Sequence, residues 1–82
     1  MVFEWDEGKA DKNLIKHGIS FDEAKTVFDD PDHSENEDRY LIVGESNTDR
    51  LLIISYTERG NAIRLISARE TTKTERETYE EG

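Results

Sequence analysis

The sequence contains no cysteine, a single proline, one methionine and one tryptophan. Without cysteine there is neither a disulfide framework nor a thiolate zinc site. Long apolar runs are also missing: the longest is Leu51 to Ile54, far short of a signal or membrane segment. This excludes a membrane role and predicts a soluble, cytoplasmic protein. Apolar residues are scarce at 33% against 38% charged, a mixture close to that of disordered chains. Here, however, the apolar residues are clustered, so the chain is expected to fold. Its 82 residues leave room for one core, giving a single domain over residues 1–82. Chains of this size bury only about 60 to 65% of their unfolded surface, so stability is expected to be modest. Such a lean core also calls for a cover, either a partner or, in isolation, a second copy in a homodimer.

Positive charge is the other shortage. Eleven Lys and Arg face twenty Asp and Glu, for a net charge of −9. Residues 1–38 hold four Lys against twelve acids, and residues 39–82 hold six Arg and one Lys against eight. A global field of this sign repels nucleic acid. Any role on RNA or DNA must therefore rest on a local patch and be salt-sensitive. Arginine, the dominant base of the second half, is the side chain suited to bidentate phosphate contacts.

What the chain does have is a strong hairpin signal. Leu51-Leu-Ile-Ile-Ser-Tyr-Thr57 and Ala62-Ile-Arg-Leu-Ile-Ser-Ala-Arg69 flank Glu58-Arg-Gly-Asn61. Two β-rich runs around turn-forming residues, with Gly60 supplying a positive φ, predict an antiparallel pair. If Thr57 faces Ala62, then Ile54 faces Leu65, Tyr56 faces Ile63 and Leu52 faces Ser67 on a core side. Ser55 then faces Arg64, and Ile53 faces Ile66, on the other. Arg64 thus falls on a face that is otherwise small and aliphatic.

Around the hairpin the remaining elements read more simply. Val2 to Trp5 forms a short edge strand. Asp6 caps a helix that ends at His17 before Gly18. Its narrow apolar seam is Ala10, Leu14 and His17, bordered by a stripe of Lys9, Lys12, Asn13 and Lys16, with Ile15 outside the seam and left for a partner or another element. Ser20-Phe-Asp-Glu23 fits a capping box, opening a helix with the core stripe Phe21, Ala24, Val27 and Phe28, stopped by Pro31. The acidic stretch from Asp29 to Asp38 reads as an exposed loop. Arg39 to Gly44 is a strand and Glu45 to Arg50 a turn. Thr72-Lys-Thr-Glu75 is a second capping box, for a final helix through Glu80 with little apolar face beyond Tyr79. The order β-α-α-β-β-β-α gives an α+β fold with an antiparallel sheet.

Several of these stretches resemble the BrnT family: Phe3-Glu-Trp-Asp6, Asn13-Leu-Ile-Lys-His-Gly18, Ser20-Phe-Asp-Glu-Ala24, Val27-Phe-Asp-Asp-Pro31, Tyr56-Thr-Glu-Arg-Gly60, Ile63-Arg-Leu-Ile-Ser-Ala-Arg69 and Glu75-Arg-Glu-Thr-Tyr-Glu80. The resemblance implies a toxin of a type II toxin–antitoxin module with a RelE-like fold. It further implies an RNA-cleaving growth inhibitor neutralised by a BrnA-type ribbon-helix-helix antitoxin, which alone would contact operator DNA. The family tail after the Ser-Ala-Arg motif is rich in arginine, whereas this one keeps only Lys73 and Arg76. That departure motivates an alternative, an inactive or weakly active module that only binds the antitoxin.

Metal-independent RNA cleavage needs activation of a 2′-hydroxyl, stabilisation of charge at phosphorus and protonation of the leaving oxygen. The candidate catalytic residues are Arg64, Arg69, His17 and Glu58, and the candidate RNA contacts are Lys12, Lys16, Tyr56 and Arg76; no metal or other cofactor is expected. Arg64 either clamps the scissile phosphate or pairs with an internal acid. Arg69 either holds a neighbouring phosphate or pairs with Glu70 or Glu75. His17 is an acid–base group or a partner to a carbonyl at the helix end. The lysines form a second basic wall or a solvated face. Glu58 belongs to the turn as well as to the candidate site, and Tyr56 to the core as well as to the RNA contacts. His33 reads as an exposed loop residue rather than a metal ligand.

Overall fold

The expected hairpin lies at the centre of a five-stranded sheet in a computed structural model that describes residues 2–36 and 40–81. Its strands are β4 (Leu51–Arg59) and β5 (Ala62–Glu70). The turn is tighter than its composition suggested: Arg59 faces Ala62, leaving only Gly60 and Asn61 as the loop. Gly60 takes φ 60°, which suits the first position of a type II′ turn and is free of steric cost only for glycine. Pairing therefore sets Tyr56 against Leu65, Thr57 against Arg64 and Glu58 against Ile63. The expected pairs Tyr56–Ile63, Ile54–Leu65 and Ser55–Arg64 do not form. A shift of two residues preserves each side chain's face, because strand periodicity is two.

Beyond Tyr56 a bulge changes the register again, so that Ser55 faces Ser67, Ile54 faces Ala68 and Ile53 faces Arg69. Ile66 is the extra residue, and its insertion reverses the far half of β5. Ala68 points into the core in place of the expected Ser67, and Ile53 gains Arg69 instead of Ile66 as its neighbour.

On one flank, β1 (Val2–Glu4) runs parallel to β5; on the other, β3 (Leu41–Glu45) pairs with β4 and β2 (Ser34–Asn36) with β3. The sheet order is β1-β5-β4-β3-β2, antiparallel except at β1. β2 corrects the expectation of a loop over this acidic stretch and adds a strand to the element order. Arg39, the expected start of β3, lies outside the described residues, as do Glu37 and Asp38.

Two helices cover one face. Helix α1 (Glu7–His17) starts where Asp6 Oδ1 accepts the Lys9 N–H at 3.1 Å, and it ends at Gly18 with φ 70°. Its inward line differs from the apolar seam expected. Leu14 is 51% exposed, whereas Asn13 is buried between the half-buried Ala10 and His17. The Asn13 amide donates to the carbonyls of Ile19 and Ala68, both at 2.9 Å, and accepts the Ala68 N–H at 3.0 Å. A fully bonded carboxamide can take a buried position that pattern alone would give to leucine.

Helix α2 (Phe21–Ala24) continues as a 3₁₀ turn over Lys25–Asp29. Ser20 Oγ caps it by accepting the Glu23 N–H at 3.1 Å. Only that half of the capping box forms, because the Glu23 carboxylate binds Arg50, Ser46 and Thr48 instead. Ile19, Phe21, Ala24 and Val27 meet Ile42, Leu52, Ile54, Tyr56, Leu65 and Ala68 in the core, flanked by Phe3, Trp5 and Phe28. Helix α3 (Lys73–Glu81) crosses the opposite face, where Tyr79 Oη donates to the Asp32 carbonyl at 2.7 Å. Among the described residues no helix is long and apolar enough to cross a membrane.

Candidate active site

Side chains that leave the sheet away from α1 and α2 make up an open face. At its hairpin end the registers set Glu4 of β1, Arg64 of β5 and Thr57 of β4 in one cross-strand row. Arg59 stands in the next row, beside Ala62 and Val2. Glu4 Oε1 lies 4.0 Å from Arg64 Nη1 and 4.0 Å from Arg59 Nε. These separations are too long for hydrogen bonds, so two guanidiniums share one carboxylate oxygen without closing on it. The Arg64 side chain is 32% exposed and the Glu4 side chain 41%. Arg64 therefore presents open donors on a rigid strand, next to a carboxylate that can accept a proton.

The other candidates from the sequence are dispersed. Arg69 shares the open face with Arg64 but stands at its far end, opposite Ile53. Its guanidinium is engaged bidentately by Glu75, at 2.9 and 3.0 Å. Glu75 also caps α3, accepting the Thr72 N–H at 2.8 Å while Thr72 Oγ1 accepts its own N–H at 3.2 Å. The Arg69 guanidinium, together with the Thr72 N–H, holds the Glu75 carboxyl well below the usual range, at about 2. Exposed Arg76 pairs with Glu80 one helical turn away, at 3.1 Å. A cavity of about 770 Å³ lies beneath α3, lined by Val43, Ile53 and Tyr79 but also by Asp32, Glu75 and Glu80. Those carboxylates make it a poor seat for phosphate, and Arg64 is not part of it.

On the other side of the sheet, His17 is half-buried at the end of α1, and Lys12 and Lys16 are exposed on that helix. The sheet separates all three from Arg64. Glu58 is exposed opposite Ile63 and points to the helix side. Tyr56 is 5% exposed, edge-on to Phe28 at 5.2 Å and to Tyr40 at 5.9 Å. Burial, with neighbouring Glu35 and Glu58, raises its phenol pKa and leaves no surface for RNA.

Glu4 and Arg59 are site neighbours that the sequence reading missed. The one usable signal was the match of Val2-x-Glu4 to Ala62-x-Arg64, which places opposite charges side by side if β1 joins the edge of β5. Nothing local shows that this strand pairs in parallel.

Residues 5–75 match a family model described as the ribonuclease toxin BrnT of type II toxin–antitoxin systems. Among solved structures, the chain is similar to the Brucella abortus ribonuclease toxin BrnT, at 24% identity and a TM-score of 0.70, over 89% of this chain and 100% of that one. That likeness extends the match to the fold, the small α+β architecture described above. No curated protein matches the chain. With the family model spanning nearly the whole described chain, the protein belongs to the BrnT family of ribonuclease toxins of type II toxin–antitoxin systems.

Proposed function

We propose that this protein is an endoribonuclease that arrests growth by cleaving RNA in the cytoplasm, and that a BrnA-type ribbon-helix-helix antitoxin neutralises it and carries the contacts to operator DNA. The observation that carries the cleavage reading is Arg64. It projects from a strand, is about one-third exposed, and has its nearest carboxylate at 4.0 Å. A guanidinium held in this way can bind two phosphate oxygens and neutralise the charge that builds at phosphorus during attack. A protein partner is supported by Leu14 and Ile15, which stand 51% and 86% exposed on α1.

Induced expression without the antitoxin tests this reading. Growth arrest with loss of mRNA is expected, and Arg64→Ala should relieve both. Unaffected growth at confirmed high expression would overturn it.

A second reading is an interaction module without cleavage. It draws on the other arginines: Arg50, Arg69 and Arg76 are each paired with a glutamate within the fold. Purified protein that binds the antitoxin but leaves RNA intact at low salt would favour it.

A further inference from the structure

We infer that Glu4 is the general base of the site, taking the proton of the RNA 2′-hydroxyl while Arg64 and Arg59 hold the adjacent phosphate. The inference rests on the ribonuclease reading and adds to it the residue that starts the reaction. The argument is geometric. Glu4 and Arg64 are direct neighbours on parallel strands, so both side chains leave the same face in the same row. Arg59 reaches the same carboxylate oxygen across Ala62, a residue too small to obstruct that surface. At 4.0 Å neither pair is closed, so one ligand oxygen approaching from the side can lie within hydrogen-bond reach of both the carboxylate and a guanidinium. A 2′-hydroxyl and its neighbouring phosphate need just this combination, an acceptor beside a cationic clamp.

The competing carboxylates are less suitable. Asp6 is occupied in capping α1. Glu23 and Glu75 are bound by arginines that hold them at about 2, so they are weak proton acceptors. Glu58 projects to the other side of the sheet. Glu4 accepts no hydrogen bond among the described residues and is 41% exposed, which leaves its lone pairs open to substrate.

In the step itself, the 2′-oxygen attacks phosphorus as its proton passes to Glu4. The new 2′-O–P bond forms and the P–O5′ bond breaks, leaving a 2′,3′-cyclic phosphate. The departing 5′-oxygen takes a proton from solvent, and Glu4 returns its own to solvent.

Single-turnover cleavage of mixed-sequence RNA oligonucleotides by Glu4→Gln and Glu4→Asp tests the assignment, with binding measured on the same pool carrying 2′-O-methyl sugars. Glu4→Gln should lose about 100-fold or more in rate, the usual range for a general base, with binding kept or tightened. The rise of rate with pH on the acid limb should vanish in Glu4→Gln and persist in Glu4→Asp, which keeps the carboxylate. A Glu4→Gln enzyme within about threefold of wild type would overturn the assignment, as would a loss of binding that accounts for the whole loss of rate. Wild-type protein that cleaves nothing would overturn the ribonuclease reading and this inference together. Failure of Glu4 alone is distinguished by a wild type that cleaves while the variant either keeps pace or loses rate only through binding.

Discussion

Glu23 ties more of this molecule together than any other side chain described. Its carboxylate, 10% exposed, takes the Arg50 guanidinium and the hydroxyls of Ser46, at 2.7 Å, and Thr48, at 2.6 Å. Arg50 in turn donates to the Gly18 carbonyl at 3.2 Å, so one contact set joins the ends of α1 and α2 to the β3–β4 turn. The Arg50 hydrogen bond, outweighing the cost of burial, holds Glu23 at about 2 against an ordinary 4.5. Because the folded-state pKa is depressed, the stabilisation is complete above the unfolded value and is lost as pH falls from about 4.5 to about 2. Its size is on the order of 3 kcal/mol. Urea unfolding of wild type and Glu23→Gln should show a gap of that order at pH 7, closing as pH approaches 2. A gap independent of pH would mean that the ion pair is not its source. None of this was legible in the sequence. Ser20-x-x-Glu23 matches a local cap, and Arg50 lies 27 positions away with nothing nearby to mark it as the partner. The inward position of Asn13 is hidden for the same reason, since a polar residue faces inward only if distant backbone groups satisfy it.

Elements were legible where periodicity or capping is local. The hairpin, the caps at Asp6 and Gly18, and the Thr72–Glu75 box are all present. The bulge at Ile66 was not legible, because an inserted residue leaves the alternation plausible in either register. Nor was β2, whose Ser34–Asn36 segment has no apolar run and becomes a strand by pairing with β3. Helix α3 shows the same dependence on context. Nine residues are too few for a stable helix in water, and its apolar face is little more than Tyr79. Glu75 compensates by capping the first turn and gripping Arg69, while Tyr79 anchors the second half at Asp32. Glu75→Gln should therefore raise amide exchange in residues 77–80 by about tenfold or more, with β4 and β5 as protected as before. Unchanged exchange in α3 would mean that the Tyr79 anchor alone suffices.

Across the whole molecule, the arrangement of charge decides how RNA is met. The net charge of −9 opposes any approach, and the bases that remain are divided by the sheet. Lys12 and Lys16 lie on the helix side, whereas Arg64 and Arg59 lie on the open face. Arg69 and Arg76, also beyond the open end, already have glutamate partners. A single strand crossing the hairpin end of the open face thus meets two cations, Arg64 and Arg59, neither hydrogen-bonded to the Glu4 carboxylate 4.0 Å away. Each phosphate neutralised on single-stranded nucleic acid contributes about −0.7 to the slope of log affinity against log salt, so a slope near −1.4 is expected. Titrations of 2′-O-methyl RNA between low and physiological salt measure it directly. Arg64→Ala should flatten the slope by about 0.7, whereas changing Lys12 and Lys16 together to alanine should leave it unchanged. A wild-type slope steeper than about −3 would require the strand to wrap onto α1 or to displace Glu75 from Arg69. Binding would then be a property of both faces, and the open-face site would be only its beginning.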